Sequence, residues 1–151
     1  KRQHISKCKP VFIEMKYGDK VLGGSSGMMK HLDDMESYIS NKALYNHNIH
    51  AMEVQFRQLD ELGLFAFNHP SNVELHLNPD DKPEFIFLLA NHNPRASKLR
   101  SILSDKQFRE KAKSSSFELL LSSTTFAGYS LHSRNMKTLE DFIDTLPPDD
   151  K

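Results

Sequence analysis

Residues 84–90, EFIFLLA, constrain this chain more than any other stretch. Six apolar side chains in succession follow the turn residues NPDDKP, and an unbroken apolar run of this length suits a central strand better than an edge one. The segment before it, NVELHL at 72–77, alternates polar and apolar residues and reads as a half-buried strand. FELLLSSTTFAGYSLH reads as one long strand or two joined strands. Near the start, Val11, Ile13, Met15 and Tyr17 alternate with Phe12, Glu14 and Lys16, so a strand there puts Glu14 and Lys16 on the same face.

Helical spacing fills the gaps between these strands. Met28, Leu32, Met35 and Ile39 recur at 4-3-4 intervals after GGSSG, which supplies a flexible turn and a serine N-cap. Tyr45, Ile49, Met52, Phe56 and Leu59 mark a second, long helix that stops at Gly63, where glycine takes a left-handed C-terminal turn. Asn93-Pro94 opens a helix holding Leu99, Ile102 and Leu103, continued by the polar, basic SDKQFREKAKSSS. TLEDFIDTL is a short last helix, capped by Thr138 and stopped by Pro147-Pro148. No repeat, linker or low-complexity tract interrupts the series. One α/β domain over 1–151 with a mixed sheet is the economical architecture.

Composition excludes only the extremes. With 151 residues, 38% hydrophobic and 26% charged, the chain suits one domain with a real core. Twenty basic residues balance twenty acidic ones, so nucleic-acid binding would rest on local patches rather than a global field. The lone Cys8 allows neither an internal disulfide nor a zinc cluster, and a reducing, cytoplasmic setting is expected. No segment has the apolar length of a membrane span, and KRQHISKCKP lacks the apolar core of a signal peptide.

The chemistry-bearing candidates are few. A carboxylate and an ammonium two residues apart on one strand face, Glu14 and Lys16, can hold a divalent cation and orient a water or a phosphate, a combination suited to phosphodiester hydrolysis. An ion pair on an exposed strand face is the competing reading. Arg95, Lys98, Arg100, Lys106, Arg109, Lys111 and Lys113 face only Asp105 and Glu110, enough positive charge to track a nucleic-acid backbone or simply to solvate a helix. His47 and His50 lie at i and i+3 without a third ligand, and Asp80-Asp81 reads as a turn. GGSSG lacks the lysine of a P-loop, and no serine, including those of Ser123-Thr124-Thr125, has a nucleophile-elbow context.

In IEMKYGDKVLGGSSGMMKHLDDME, PEFIFLLANHNP and TTFAGYSL, the chain resembles bacterial members of the PD-(D/E)xK nuclease superfamily, which have the restriction-endonuclease-like fold. The likeness spans most of the chain, and its functional core is Glu14 and Lys16. It implies a mixed central sheet flanked by helices, with the ExK half-motif on a core strand followed by a helix. It further implies Mg²⁺ or Mn²⁺ held by Glu14 and the Met15 carbonyl, Lys16 as the group that orients water or stabilises charge, and nucleic acid, DNA first, as substrate. The basic stretch from Arg95 through Lys98, Arg100, Lys106 and Arg109 would contact phosphates. The family's motif also needs an Asp on a preceding strand, whereas no Asp or Glu precedes Glu14, and the chain is therefore expected to be a piece lacking its N-terminal part. Two functions follow from the resemblance: a metal-dependent nuclease, or a catalytically inactive module of the same fold that binds nucleic acid or a protein partner.

Overall fold

The computed structural model of the chain describes residues 8–65, 75–124 and 132–147. Among them, the unbroken apolar run becomes β2 (Glu84–Ala90), whose residues from Phe85 to Ala90 are all buried. It is central: β1 (Val11–Tyr17) and β3 (Glu118–Ser123) both pair with it in parallel, and β4 (Lys137–Thr138) closes the far side antiparallel to β3. Among the described residues the sheet is thus mixed, four-stranded and in sequential order.

Parallel neighbours require crossovers, and the helices supply them. Between β1 and β2 run α1 (Met28–Ser40) and α2 (Lys42–Glu61), and between β2 and β3 run α3 (Ser97–Ser104) and α4 (Lys106–Ser114). Because the strands advance in one direction, crossovers of the same hand place both helix pairs on one face of the sheet. Phe85, Phe87 and Leu89 of that face join one core with Met28, Leu32, Met35, Ile39, Leu99, Leu103 and Phe108. The last helix, α5 (Leu139–Thr145), adds Leu139 and Phe142. An aromatic triangle fastens β1 to its helices: the Phe12 ring lies 5.5 Å from Tyr38 and 6.3 Å from Tyr45, and these two are 5.7 Å apart.

The helical spacing of the sequence is realised in α1, where Met28, Leu32, Met35 and Ile39 are all buried. Its N-cap is not a serine. Gly27 stands there, with no side-chain cap, because the residues before it coil into two short 3-10 turns at Asp19–Leu22 and Gly24–Ser26. α2 ends as the pattern requires, with Gly63 at a φ of 65° just beyond it, though only Tyr45 and Ile49 of its stripe are buried. The helix expected to open at Asn93-Pro94 starts at Ser97, and its continuation is a separate helix. Asp105, extended at φ −61° and ψ 132°, breaks the chain there and caps α4 by accepting the Phe108 N–H. Thr138 caps α5 as expected by accepting the Asp141 N–H. Of the half-buried strand expected at 72–77, residues 72–74 lie outside the described residues, and Leu77 contributes one isolated bridge to Cys8. The second half of the long β3 reading, at 125–131, also lies outside them.

Hydropathy alone would turn Val11, Ile13, Met15 and Tyr17 inward. The structure does the reverse at β1, where these four side chains are 42–60% exposed while the Glu14 and Lys16 face meets the helices. The sheet face that carries Val11, Ile13, Met15 and Tyr17 also carries Ile86 and Leu88, both buried, so its margin at β1 is open and its centre is not.

The turn before α1 depends on Gly27 for a steric reason. Its φ of −76° suits any residue, but an added Cβ would fall 2.7 Å from the Gly23 main chain. Gly27→Ala is expected to cost about 1–3 kcal/mol, an overpacking penalty that the denaturant midpoint measures.

Candidate functional site

Two groups of polar side chains stand out among the described residues, and both lie on or beside the parallel strands. The first is built on β1. Glu14 and Lys16, i and i+2, project toward α1, and the Glu14 carboxylate lies 3.0 Å from the Lys16 ammonium. Lys16 is 4% exposed at its side chain and donates a 2.6 Å hydrogen bond to the Ser26 main-chain carbonyl, so the turn that precedes α1 roofs it. An ammonium buried this far needs such partners, since an unpaired charge there would carry a large desolvation cost. Glu14 is one-third exposed and opens to solvent.

His31 is the third member. It sits in the first turn of α1, beside the buried Met28 and Leu32 stripe, and its Nε2 comes within 3.4 Å of the same Glu14 oxygen. The sequence reading passed over it. The helical phase that put Met28 and Leu32 inward also put His31 at the border of that face, and this was the available signal.

Met15 adds a main-chain group. The bonds from Glu84 N–H to the Pro10 carbonyl and from Gly18 N–H to the Ala90 carbonyl fix the parallel ladder so that even-numbered residues of β1 bond to β2. The Met15 carbonyl therefore points away from β2, along the outer margin of the strand that bears Glu14.

Among the described residues, no group of three His, Cys, Asp or Glu side chains forms a ready metal site. The donors at hand are the Glu14 carboxylate and the Met15 carbonyl, both hard oxygens. Such a set suits a Mg²⁺-like ion that keeps most of its waters and leans on substrate phosphates, rather than a cation held in a protein cage. Asp80 and Asp81 do not join it: with Asn78, whose side chain accepts the Asp80 N–H and donates to Asp81, they form the expected turn. His50 pairs with Glu53 at 3.5 Å rather than sharing a site with His47.

The basic stretch divides among contacts within the fold. Arg100 donates to the Leu146 and Pro147 carbonyls beyond α5, Arg109 pairs with Glu140, Lys111 with Asp33 and Lys106 with Glu110. Lys98 makes a long 3.4 Å bond to the Lys20 carbonyl, and the Arg95 N–H donates to the Asn93 side chain. Arg100 thus serves as a clamp on the C-terminal segment, while the surface pairs are of the weak, exchangeable kind.

The second group lies at the carboxyl ends of β1, β2 and β3. Asp19, just past β1, accepts the Asn93 N–H at 3.1 Å, and His92, just past β2, meets the Ser123 hydroxyl of β3 at 2.7 Å through Nε2. Between the strand and the histidine, Asn91 takes a left-handed φ of 49°. His92 is 4% exposed and its Nδ1 has no hydrogen-bond partner among the described residues. Burial pushes its pKa below the ordinary imidazole value, against the opposing influence of the Asp19 charge and the Asn93 main chain. Neither His92 nor its pairing with Ser123 was read from the sequence, because residues 31 apart meet only through the register of β2 and β3.

Compared with protein-family models, curated proteins and solved structures, the chain matches none of them. Among the described residues, no helix is long and apolar enough to cross a membrane.

The His92 environment has a pH consequence. As pH falls, the unfolded chain takes up this proton first, so the stability His92 contributes is complete above about pH 6.5 and is lost as pH drops through its depressed folded value. Denaturant midpoints at pH 8 and pH 5 are expected to differ by less in His92→Gln than in the parent.

Proposed function

We propose that this chain is a restriction-endonuclease-like domain that hydrolyses phosphodiester bonds of nucleic acid, DNA foremost, with a divalent metal. One observation carries the reading: a buried, doubly anchored ammonium stands 3.0 Å from a solvent-open carboxylate on the same strand. An exposed surface pair would anchor neither partner, whereas here the fold fixes the lysine before any ligand arrives.

The residues divide the work by their chemistry. Glu14 and the Met15 carbonyl would hold Mg²⁺ or Mn²⁺, which when bound supplies Lewis-acid stabilisation and a more acidic water. Lys16, held by the Ser26 carbonyl and Glu14, presents fixed positive charge where the phosphoryl oxygens gain negative charge. Its preorganisation matters, because a charge already in place needs no reorganisation during the reaction. Lys98, Lys106 and Arg109 would exchange weak internal contacts for phosphates, Arg95 would add its guanidinium beside them, and Arg100 would remain structural.

A second reading is an inactive module of the same fold that binds nucleic acid or a protein partner. It is favoured by the absence of any three-ligand group among the described residues.

Cleavage of labelled single- and double-stranded DNA separates the two. The nuclease reading expects cutting with Mg²⁺ or Mn²⁺, none in EDTA, and a loss of roughly a hundredfold or more in folded Lys16→Ala and Glu14→Gln. DNA retention without cleavage by the folded parent would establish the binding module instead.

A further inference from the structure

We propose that Ser123 and His92 form a second reactive site, a serine nucleophile with its histidine base, acting on carboxylic esters. The pair lies at the carboxyl ends of the adjacent parallel strands β2 and β3, with His92 just past β2 and Ser123 the last residue of β3. A 2.7 Å approach of a ring nitrogen to a serine oxygen is the reach that proton transfer to a general base requires.

Three further features point to a reactive site rather than packing alone. The histidine is carried on a strained turn: Asn91, a non-glycine residue at φ 49°, aims His92 back over the end of β3, and such strain concentrates at functional sites. Among the described residues, the buried ring nitrogen Nδ1 has no hydrogen-bond partner, an arrangement that packing alone does not favour. The exposure also differs across the pair, with His92 buried and Ser123 half-buried at the end of β3. The Asp19 carboxylate, tied to the neighbouring Asn93 N–H, places negative charge where the ring would become imidazolium.

The chemistry balances without a further reagent. The Ser123 oxygen bonds to the ester carbonyl carbon as its proton passes to His92 Nε2. The imidazolium then protonates the departing alkoxide as the ester C–O bond breaks, leaving an acyl-serine and free alcohol. Water attacks the acyl-serine, gives its proton to His92, and the acid leaves as the serine regains its hydrogen.

An alkyl fluorophosphonate in the presence of EDTA tests this apart from any phosphodiester cleavage. The expected result is a single adduct, localised to Ser123 by fragmentation mass spectrometry, absent in Ser123→Ala and formed roughly a hundredfold or more slowly in His92→Gln. No adduct, an adduct on another serine, or an unchanged rate in His92→Gln would overturn the proposal. Should His92→Gln fail to fold, Ser123→Cys decides: alkylation by iodoacetamide faster than that of Cys8 in the same molecule supports an activating base, and an equal or slower rate refutes it.

Discussion

The double burial of β2 is the constraint on which the other elements hang. A strand apolar on both faces cannot sit at a margin, and a parallel neighbour on each side obliges the chain to cross over twice. Those crossovers are the α1–α2 and α3–α4 pairs, and their common hand puts them on one face, where Phe85, Phe87 and Leu89 anchor the shared core. The alignment of three carboxyl ends, and with it the meeting of Asp19, His92, Asn93 and Ser123, is a by-product of the same parallel register.

Against that frame, β1 inverts the usual bargain between hydropathy and burial. Its apolar side chains face outward and its charged pair faces the helices. Burying Lys16 is tolerable because Glu14 neutralises it and a main-chain carbonyl of the roofing turn accepts a further bond. That turn can coil so tightly only because Gly27 lacks a Cβ, which would fall 2.7 Å from the Gly23 main chain. A charged pair held at such conformational expense is a more informative feature than the same two residues on an open surface, and it gives the nuclease reading its physical content.

Much of the local structure was legible. The β2 run, the α1 stripe, the Gly63 stop and the Thr138 cap each follow from period or local hydrogen bonding, and each stands where those rules put it. The failures share a cause. Asp105 interrupts a helical pattern because its side chain serves the next helix better as a cap than it would serve inside a continuous one. Ser25 and Ser26 do not cap α1 because the turn spends its geometry on bringing the Ser26 carbonyl to Lys16. The basic stretch looked like one charged surface in sequence and is divided in space among Asp33, Glu140 and the end of α5.

By itself, then, the sequence determined β1, β2, α1, α2 and α5, and that Glu14 and Lys16 share a strand face, because those properties depend on neighbours within about one turn or one pleat. Tertiary structure decided which face of β1 turns inward, how deeply Lys16 is buried, and that His31 and His92 meet Glu14 and Ser123. These depend on what packs against each element, and contacts between residues 17 or 31 positions apart have no periodic trace in the chain that makes them.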